Sequence, residues 1–331
     1  MPTSVGHDSP TTRGKVIAAG VCLTVALGLG MQDVGEQPPG VNAPAPPVAT
    51  FRSSVDLVRV AAVVRDHKGR LVPDLAARDF EILENGASRP IAEFQHDLTG
   101  VSLALLFDVS GSMEAAIVPA REAAMHVLSW LDAGLDEAAV YMFDTRLVEV
   151  APFTTGLKAL PPSMSSVVPF GETSLHDAIA STAEQVGARK GRARAVVVFT
   201  DGNDNASHLQ PAQVSAMASA IDVPVYVFAV VASIDNPSAE TSTTAGRSAL
   251  EGPLSNLAAW TGGHVFVAST PGERSIAARQ ILDELRHQYL IAFESSATPG
   301  WHSLEVRARS KGLTVRARSG YIAGQSRPVS R

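Results

Sequence analysis

Residues 103–113, Leu-Ala-Leu-Leu-Phe-Asp-Val-Ser-Gly-Ser-Met, constrain this chain more than any other stretch. The first five are uninterruptedly apolar. A strand with no polar face has to be covered on both sides, which places it at the centre of a parallel sheet. The run stops at Asp108, and Ser110, Gly111 and Ser112 follow before a helical pattern begins. One carboxylate and two hydroxyls thus collect where a strand turns into a helix. In an open α/β sheet, that crevice at the carboxyl ends of the strands is where ligands bind. All three side chains are hard oxygen donors, the type Mg²⁺ prefers. Gly111 is read as the residue that lets the loop turn without a Cβ clash.

Strands and helices alternate through the middle of the chain, the pattern of a doubly wound parallel sheet. After the serines, Ile117, Ala120, Ala124, Val127, Leu128 and Leu131 form one apolar stripe, and Pro119 must fall in the first turn of its helix or kink it. Strands are predicted at 138–143, 224–231 and 264–268. Helices are predicted at 175–186, 211–220, 250–260 and 273–286. Two further oxygen-bearing residues sit at element ends. Thr173 immediately precedes a helix, and Asp201 stands at the tip of the buried run Ala-Val-Val-Val-Phe-Thr-Asp.

The Asp-x-Ser-x-Ser spacing of Asp108, Ser110 and Ser112, followed by Thr173 and Asp201, resembles the metal-ion-dependent adhesion site of von Willebrand factor type A domains. The resemblance implies an α/β, doubly wound, Rossmann-like domain over residues 99–287. It also implies a bound Mg²⁺, with Mn²⁺ or Ca²⁺ as substitutes. Ser110 and Ser112 would coordinate directly, with Asp108 supplying charge. Thr173 would act directly or through water, and Asp201 would orient bound water. With so few protein anions the metal keeps an exchangeable position, which by the same resemblance takes a carboxylate from a partner protein. A binding module rather than an enzyme is expected. No Ser-His-Asp set, Walker loop or nucleotide fingerprint is present. Ser110 stands where an aspartyl-phosphate enzyme needs its second acid. The alternatives are a structural exported protein with an idle metal site and a metal-assisted hydrolase using Asp108.

Each residue also has a plainer reading. Ser110 and Ser112 could cap the following helix, Thr173 could be an N-cap, and Asp201-Gly202 could be a turn. Asp177, four residues after Thr173, could reach the rim of the site but reads first as part of a solvated helix face, and Asp204 and Asn205 shape the loop after Asp201. His176 and His264 lack partners at metal-ligand spacing and are read as packing or surface groups. Arg307, Arg309, Arg316 and Arg318 read as a solvated strand face.

Both ends of the chain differ from its middle. Arg13 and Lys15 precede an apolar run at 16–31, which reads as a secretory signal, with an uncleaved anchor as second choice. The lone cysteine, Cys22, excludes an intrachain disulfide, and Val21 before it departs from a lipoprotein signal. Residues 32–50 hold five prolines, Pro38, Pro39, Pro44, Pro46 and Pro47, and read as an extended linker. A periplasmic or extracellular location follows, and the net charge of −6 argues against nucleic-acid partners.

Residues 51–98 alternate with period two and carry an Asn85-Gly86 hairpin signal, after which Ile91 and Phe94 continue the returning strand. Half-exposed strands recur at 289–293, 303–308 and 313–317. We therefore expect 51–98 and 288–323 to pair into one antiparallel β unit, with the α/β domain inserted between them. Such flanks, and the ending Arg318-Ser319-Gly320-Tyr321, resemble bacterial exported proteins that carry this A-type domain. The polar stretch 233–246 reads as a mobile loop.

Overall fold

Strand β5 (Val101–Asp108) is buried along its entire length. It lies parallel to and between β6 (Glu137–Phe143) and β8 (Ala193–Thr200). The computed structural model describes residues 57–96, 100–220, 222–230, 252–296 and 298–323. The predicted leader at 1–31 with Cys22, the linker at 32–50 and the loop at 233–246 lie outside the described residues.

The central sheet has six strands. Beside β8 lie β9 (Val225–Val230) and β10 (Val265–Ala268), both parallel, and beside β6 lies β7 (Leu147–Thr155), antiparallel. Alternate residues of β5 point to opposite faces. Leu103, Leu105 and Phe107 pack against α1 (Ile117–Trp130) and α5 (Pro271–Arg286). Ala104 and Leu106 pack against α2 (Leu175–Gly187), α3 (Pro211–Ala220) and α4 (Pro253–Thr261). A phenylalanine row crosses the sheet, with Phe107 to Phe199 centroids at 4.8 Å and Phe199 to Phe228 at 5.4 Å. The result is the doubly wound α/β fold expected from the alternation of strands and helices.

Pro119 falls in the first turn of α1, where its missing N–H costs nothing. Strand β7 was not anticipated. It is an edge strand, half exposed, and Pro152 inside it reads against a strand; its ladder with β6 accommodates the proline through register shifts.

The flanking strands form two four-stranded antiparallel sheets, each assembled from both ends of the described chain. One is ordered β13-β1-β11-β4 and the other β14-β12-β2-β3. Their strands are β1 (Leu57–Asp66), β2 (Phe80–Glu84), β3 (Ala87–Arg89), β4 (Ile91–Gln95), β11 (Tyr289–Glu294), β12 (Gly300–Ala308), β13 (Leu313–Ala317) and β14 (Gly320–Ala323). Val60, Val64, Phe80, Ile82, Tyr289, Phe293 and Val306 share one core between them. The β2–β3 hairpin turns at Asn85 (φ 49°) and Gly86 (φ 80°), the paired left-handed conformation that Asn-Gly favours. Ile91 and Phe94 do not continue this hairpin. At Pro90, which has no N–H to give a ladder, the chain leaves β2's sheet and joins β11 in the other.

The basic strand face also needs correcting. Arg307 is exposed and pairs with Glu305, and Arg309 is exposed, but the other two arginines turn inward. Arg318 is nearly buried and donates to the Arg59 carbonyl. Arg316 reaches Glu284 of α5, which also accepts from Arg65 of β1 at 2.6 Å. Glu284 thus ties two flanking strands to the last helix of the α/β domain. Burial by itself would raise this carboxyl, but the two guanidinium groups outweigh it and hold the group below its ordinary value. Glu284 is 1% exposed, so its removal leaves two half-buried guanidinium groups facing each other without the carboxylate between them.

We therefore expect Glu284→Ala to destabilise the protein by about 3–5 kcal/mol, read from denaturant midpoints. A carboxyl depressed by folding adds stability above its unfolded value near ~4.3 and loses it as pH falls through the folded one. Wild type should therefore lose stability faster than Glu284→Gln on acidification below about pH 4.5.

Candidate functional site

Asp108 ends β5 and is 0% exposed. A buried carboxylate needs hydrogen-bond donors, and three are supplied. Its Oδ1 accepts from the Ser110 backbone N–H at 2.9 Å and from the Ser110 hydroxyl at 2.6 Å. Its Oδ2 accepts from the Thr200 hydroxyl at 2.7 Å, across from the end of β8. Ser110 Oγ lies 3.2 Å from Ser112 Oγ. Because the single Ser110 hydroxyl proton goes to Asp108, Ser112 is the donor in that pair. Ser110 is buried and Ser112 is exposed, so the row runs from the core to the surface.

Two further loops close on this one. The Gly111 N–H donates to the Gly171 carbonyl at 3.0 Å, and the Phe170 N–H donates to the Val109 carbonyl at 2.9 Å. These bonds bring the segment that carries Thr173 alongside the serine loop. Thr173 in turn is fixed to the loop after β8. Its N–H donates to Asn205 Oδ1 at 2.8 Å, and its carbonyl accepts from the N–H groups of Asn205 and Ala206. Asp201 follows Thr200 directly, and its carboxylate accepts from Asn203 N–H at 3.3 Å and from Asn203 Nδ2 at 3.2 Å. Three segments separated by up to 92 residues are laced together around Asp108.

The electrostatics are unbalanced. Burial pushes the Asp108 carboxyl above its ordinary value, its three hydrogen bonds oppose that, and the negative charge of Asp201 adds to the rise. Among the described residues, no Lys, Arg or His forms an ion pair with Asp108 or Asp201. Nor do three His, Cys, Asp or Glu side chains gather there as a carboxylate- or imidazole-rich metal site. The donors that meet are hydroxyls and carboxylates.

Several plainer readings do not survive. Ser110 precedes a short 3₁₀ turn (Gly111–Ala115), but its side chain makes no capping bond. The N-cap of α2 is Ser174, not Thr173. Asp201 does make the turn contact to Asn203, so that reading holds beside any other role. Gly111 is not required by crowding, since an added Cβ would meet Gly171 O at an ordinary 3.5 Å. Asp177 is not a solvated face group; it accepts from the His208 and Leu209 N–H groups and braces the loop after β8. His176 is buried against Asp204, with Nδ1 2.7 Å from Oδ2. Thr200 went unnoticed because it closes an apolar run and reads as one more strand residue. A hydroxyl at the tip of a buried strand, next to an acid, was its one signal.

Residues 103–203, which include Asp108, Ser110, Ser112, Thr173 and Asp201, match the family model of the von Willebrand factor type A domain. This segment is a domain of that type. No curated protein matches the chain. Similar solved structures include an aerotolerance-related membrane protein from Bacteroides fragilis, 19% identical over 56% of this chain and 98% of that one, with a TM-score of 0.45. A conserved hypothetical protein BatB from Bacteroides thetaiotaomicron is 16% identical over 56% and 98%, with a TM-score of 0.44. A von Willebrand factor type A protein from Catenulispora acidiphila is 12% identical over 82% and 76%, with a TM-score of 0.44.

The Thr200 hydroxyl donates to Asp108 and accepts from Gly202 N–H at 3.0 Å. Thr200→Val should therefore cost about 1–3 kcal/mol in chelator-treated protein, measured by urea denaturation, because it strands a buried carboxylate oxygen. Thr200→Ser keeps the hydroxyl and should cost much less.

Proposed function

We propose that this chain is an exported, non-enzymatic protein-binding module whose von Willebrand factor type A domain engages a partner carboxylate through a divalent cation, Mg²⁺ first, at Asp108, Ser110, Ser112, Thr173 and Asp201. One observation carries the reading. A fully buried carboxylate, raised by burial and by a second carboxylate, has hydrogen bonds but, among the described residues, no basic partner. Two hydroxyls lead from it to the surface. This donor chemistry fits a hard cation that keeps several of its waters.

In this reading a bound metal supplies positive charge and an exchangeable position. The chain's own residues do the rest. Thr200 and the Ser110 N–H hold the Asp108 carboxylate in one orientation, and Asp108 in turn aims the Ser110 hydroxyl. Asn205 fixes the backbone at Thr173, and Asn203 steadies the Asp201 carboxylate. The basic segment followed by an apolar run at 13–31 supports export. Among the described residues, no helix is long and apolar enough to cross a membrane.

The cluster that most resembles hydrolytic machinery lies in the flanking sheets and has the wrong geometry. Ser296 Oγ and Glu84 Oε1 both face His302 Nδ1, at 3.1 and 2.9 Å, while Nε2 donates to the Thr298 carbonyl at 2.7 Å. A relay needs the acid and the nucleophile on opposite ring nitrogens.

Calorimetry with the whole chain should show weak, exchangeable Mg²⁺ binding, because neutral hydroxyls replace most of the carboxylates of a tight site. Asp108→Ala should abolish the heat while circular dichroism stays unchanged. A heat signal that survives Asp108→Ala overturns the proposal.

A further inference from the structure

Val168 and Phe170 are 80% and 82% exposed, the highest values among the exposed large hydrophobic residues that the structure describes. Scattered exposed apolar side chains are ordinary. These two differ in where they sit and how they are held. Arg121 of α1 donates to the Val167 carbonyl at 2.7 Å, and Met164 anchors the same loop in the core. The Phe170 N–H bonds to the Val109 carbonyl, and the next residue, Gly171, accepts from Gly111. Pro169 between them fixes its own φ and restricts Val168. Val118, 56% exposed, lies one turn before Arg121 on the same side of α1. A rigid backbone therefore holds bulky apolar side chains in water beside the serine loop. An anchor preorganised in this way loses little entropy on binding.

The charges around it add a second constraint. Glu114 stands two residues after Ser112, and Glu172 stands between Gly171 and Thr173; both are exposed. Neither loop, 109–116 or 161–174, contains a Lys or Arg. Like charges facing across an interface exclude a partner, and opposite ones select it.

We infer that the partner is a polypeptide segment with a single carboxylate beside a large apolar side chain, and with Lys or Arg to either side. The apolar side chain covers Phe170 and Val168, and the basic residues meet Glu114 and Glu172. A run of acidic residues is rejected by the same glutamates. This inference rests on the proposed carboxylate-binding reading and specifies which carboxylate-bearing segments qualify.

Selection of a random heptapeptide library displayed on phage, against the whole chain in Mg²⁺, tests it. Wild type should enrich one Asp or Glu next to Phe, Leu, Ile or Trp, with Lys or Arg outside. Phe170→Ser, an exposed change that leaves the circular dichroism and melting temperature unaltered, should lose the apolar enrichment and keep the acid. Affinity of the synthesised winner should fall about tenfold or more in Phe170→Ser, as for a central hydrophobic anchor. Glu172→Lys should abolish the basic preference on one side of the acid and leave the side that meets Glu114. Acid- and Mg²⁺-dependent peptides that bind Phe170→Ser as well as wild type overturn the inference and leave the carboxylate reading intact. Peptides that need Phe170 but neither an acid nor Mg²⁺ overturn the carboxylate reading and leave the apolar anchor standing. A selection without enrichment counts against the inference.

Discussion

The Thr200 hydroxyl bonded to the Asp108 carboxylate joins the ends of two neighbouring strands whose preceding five residues, 103–107 and 195–199, are all apolar. Without it and the two Ser110 donors, the buried carboxylate at the end of β5 would lose every hydrogen bond that offsets its burial. Hydrogen bonding is thus satisfied while charge is not: the donors are neutral, the charge of Asp201 adds to the burden, and among the described residues no basic group pairs with Asp108. That combination separates this cluster from the structural carboxylates elsewhere in the molecule. Glu84, Glu137 and Glu284 are equally buried, and each meets at least one guanidinium group.

Chemistry and attachment occupy opposite ends of β5. The flanking sheets enter just before Val101 and resume just after α5, while Asp108 lies eight residues along the strand, roughly 25 Å away at about 3.3 Å per residue. The rim that carries the serines, Thr173 and Phe170 is consequently left uncovered by the β unit. Loops at this rim owe their order to each other, through the bonds from Gly111 to Gly171 and from Thr173 to Asn205.

Much of this was legible from residue order. The buried stretches 103–107 of β5 and 195–199 of β8 announce themselves as unbroken apolar runs, and α1 announces itself by its stripe. Asp108, Ser110 and Ser112 could be read from spacing, and Thr173 and Asp201 from their positions at element ends. What escaped depends on partners distant in sequence. Arg316 and Arg318 alternate as solvated residues do, and it is partners distant in sequence, Glu284 of α5 and the Gly262 carbonyl, that turn Arg316 inward. β7 escaped because an edge strand tolerates Pro152 and half of its face is wet. The switch of sheets at Pro90 escaped because a hairpin signal says how a chain turns and not where it goes next.

Each flanking sheet interleaves strands from both ends of the described chain, with Leu57 opposite Glu294. Such pairing has a kinetic consequence. Closing a loop of more than two hundred residues by diffusion of a flexible chain is entropically costly, whereas a domain already folded between the ends delivers them side by side. Prior folding of the α/β domain would therefore lower the entropic cost of pairing the two halves of each flanking sheet.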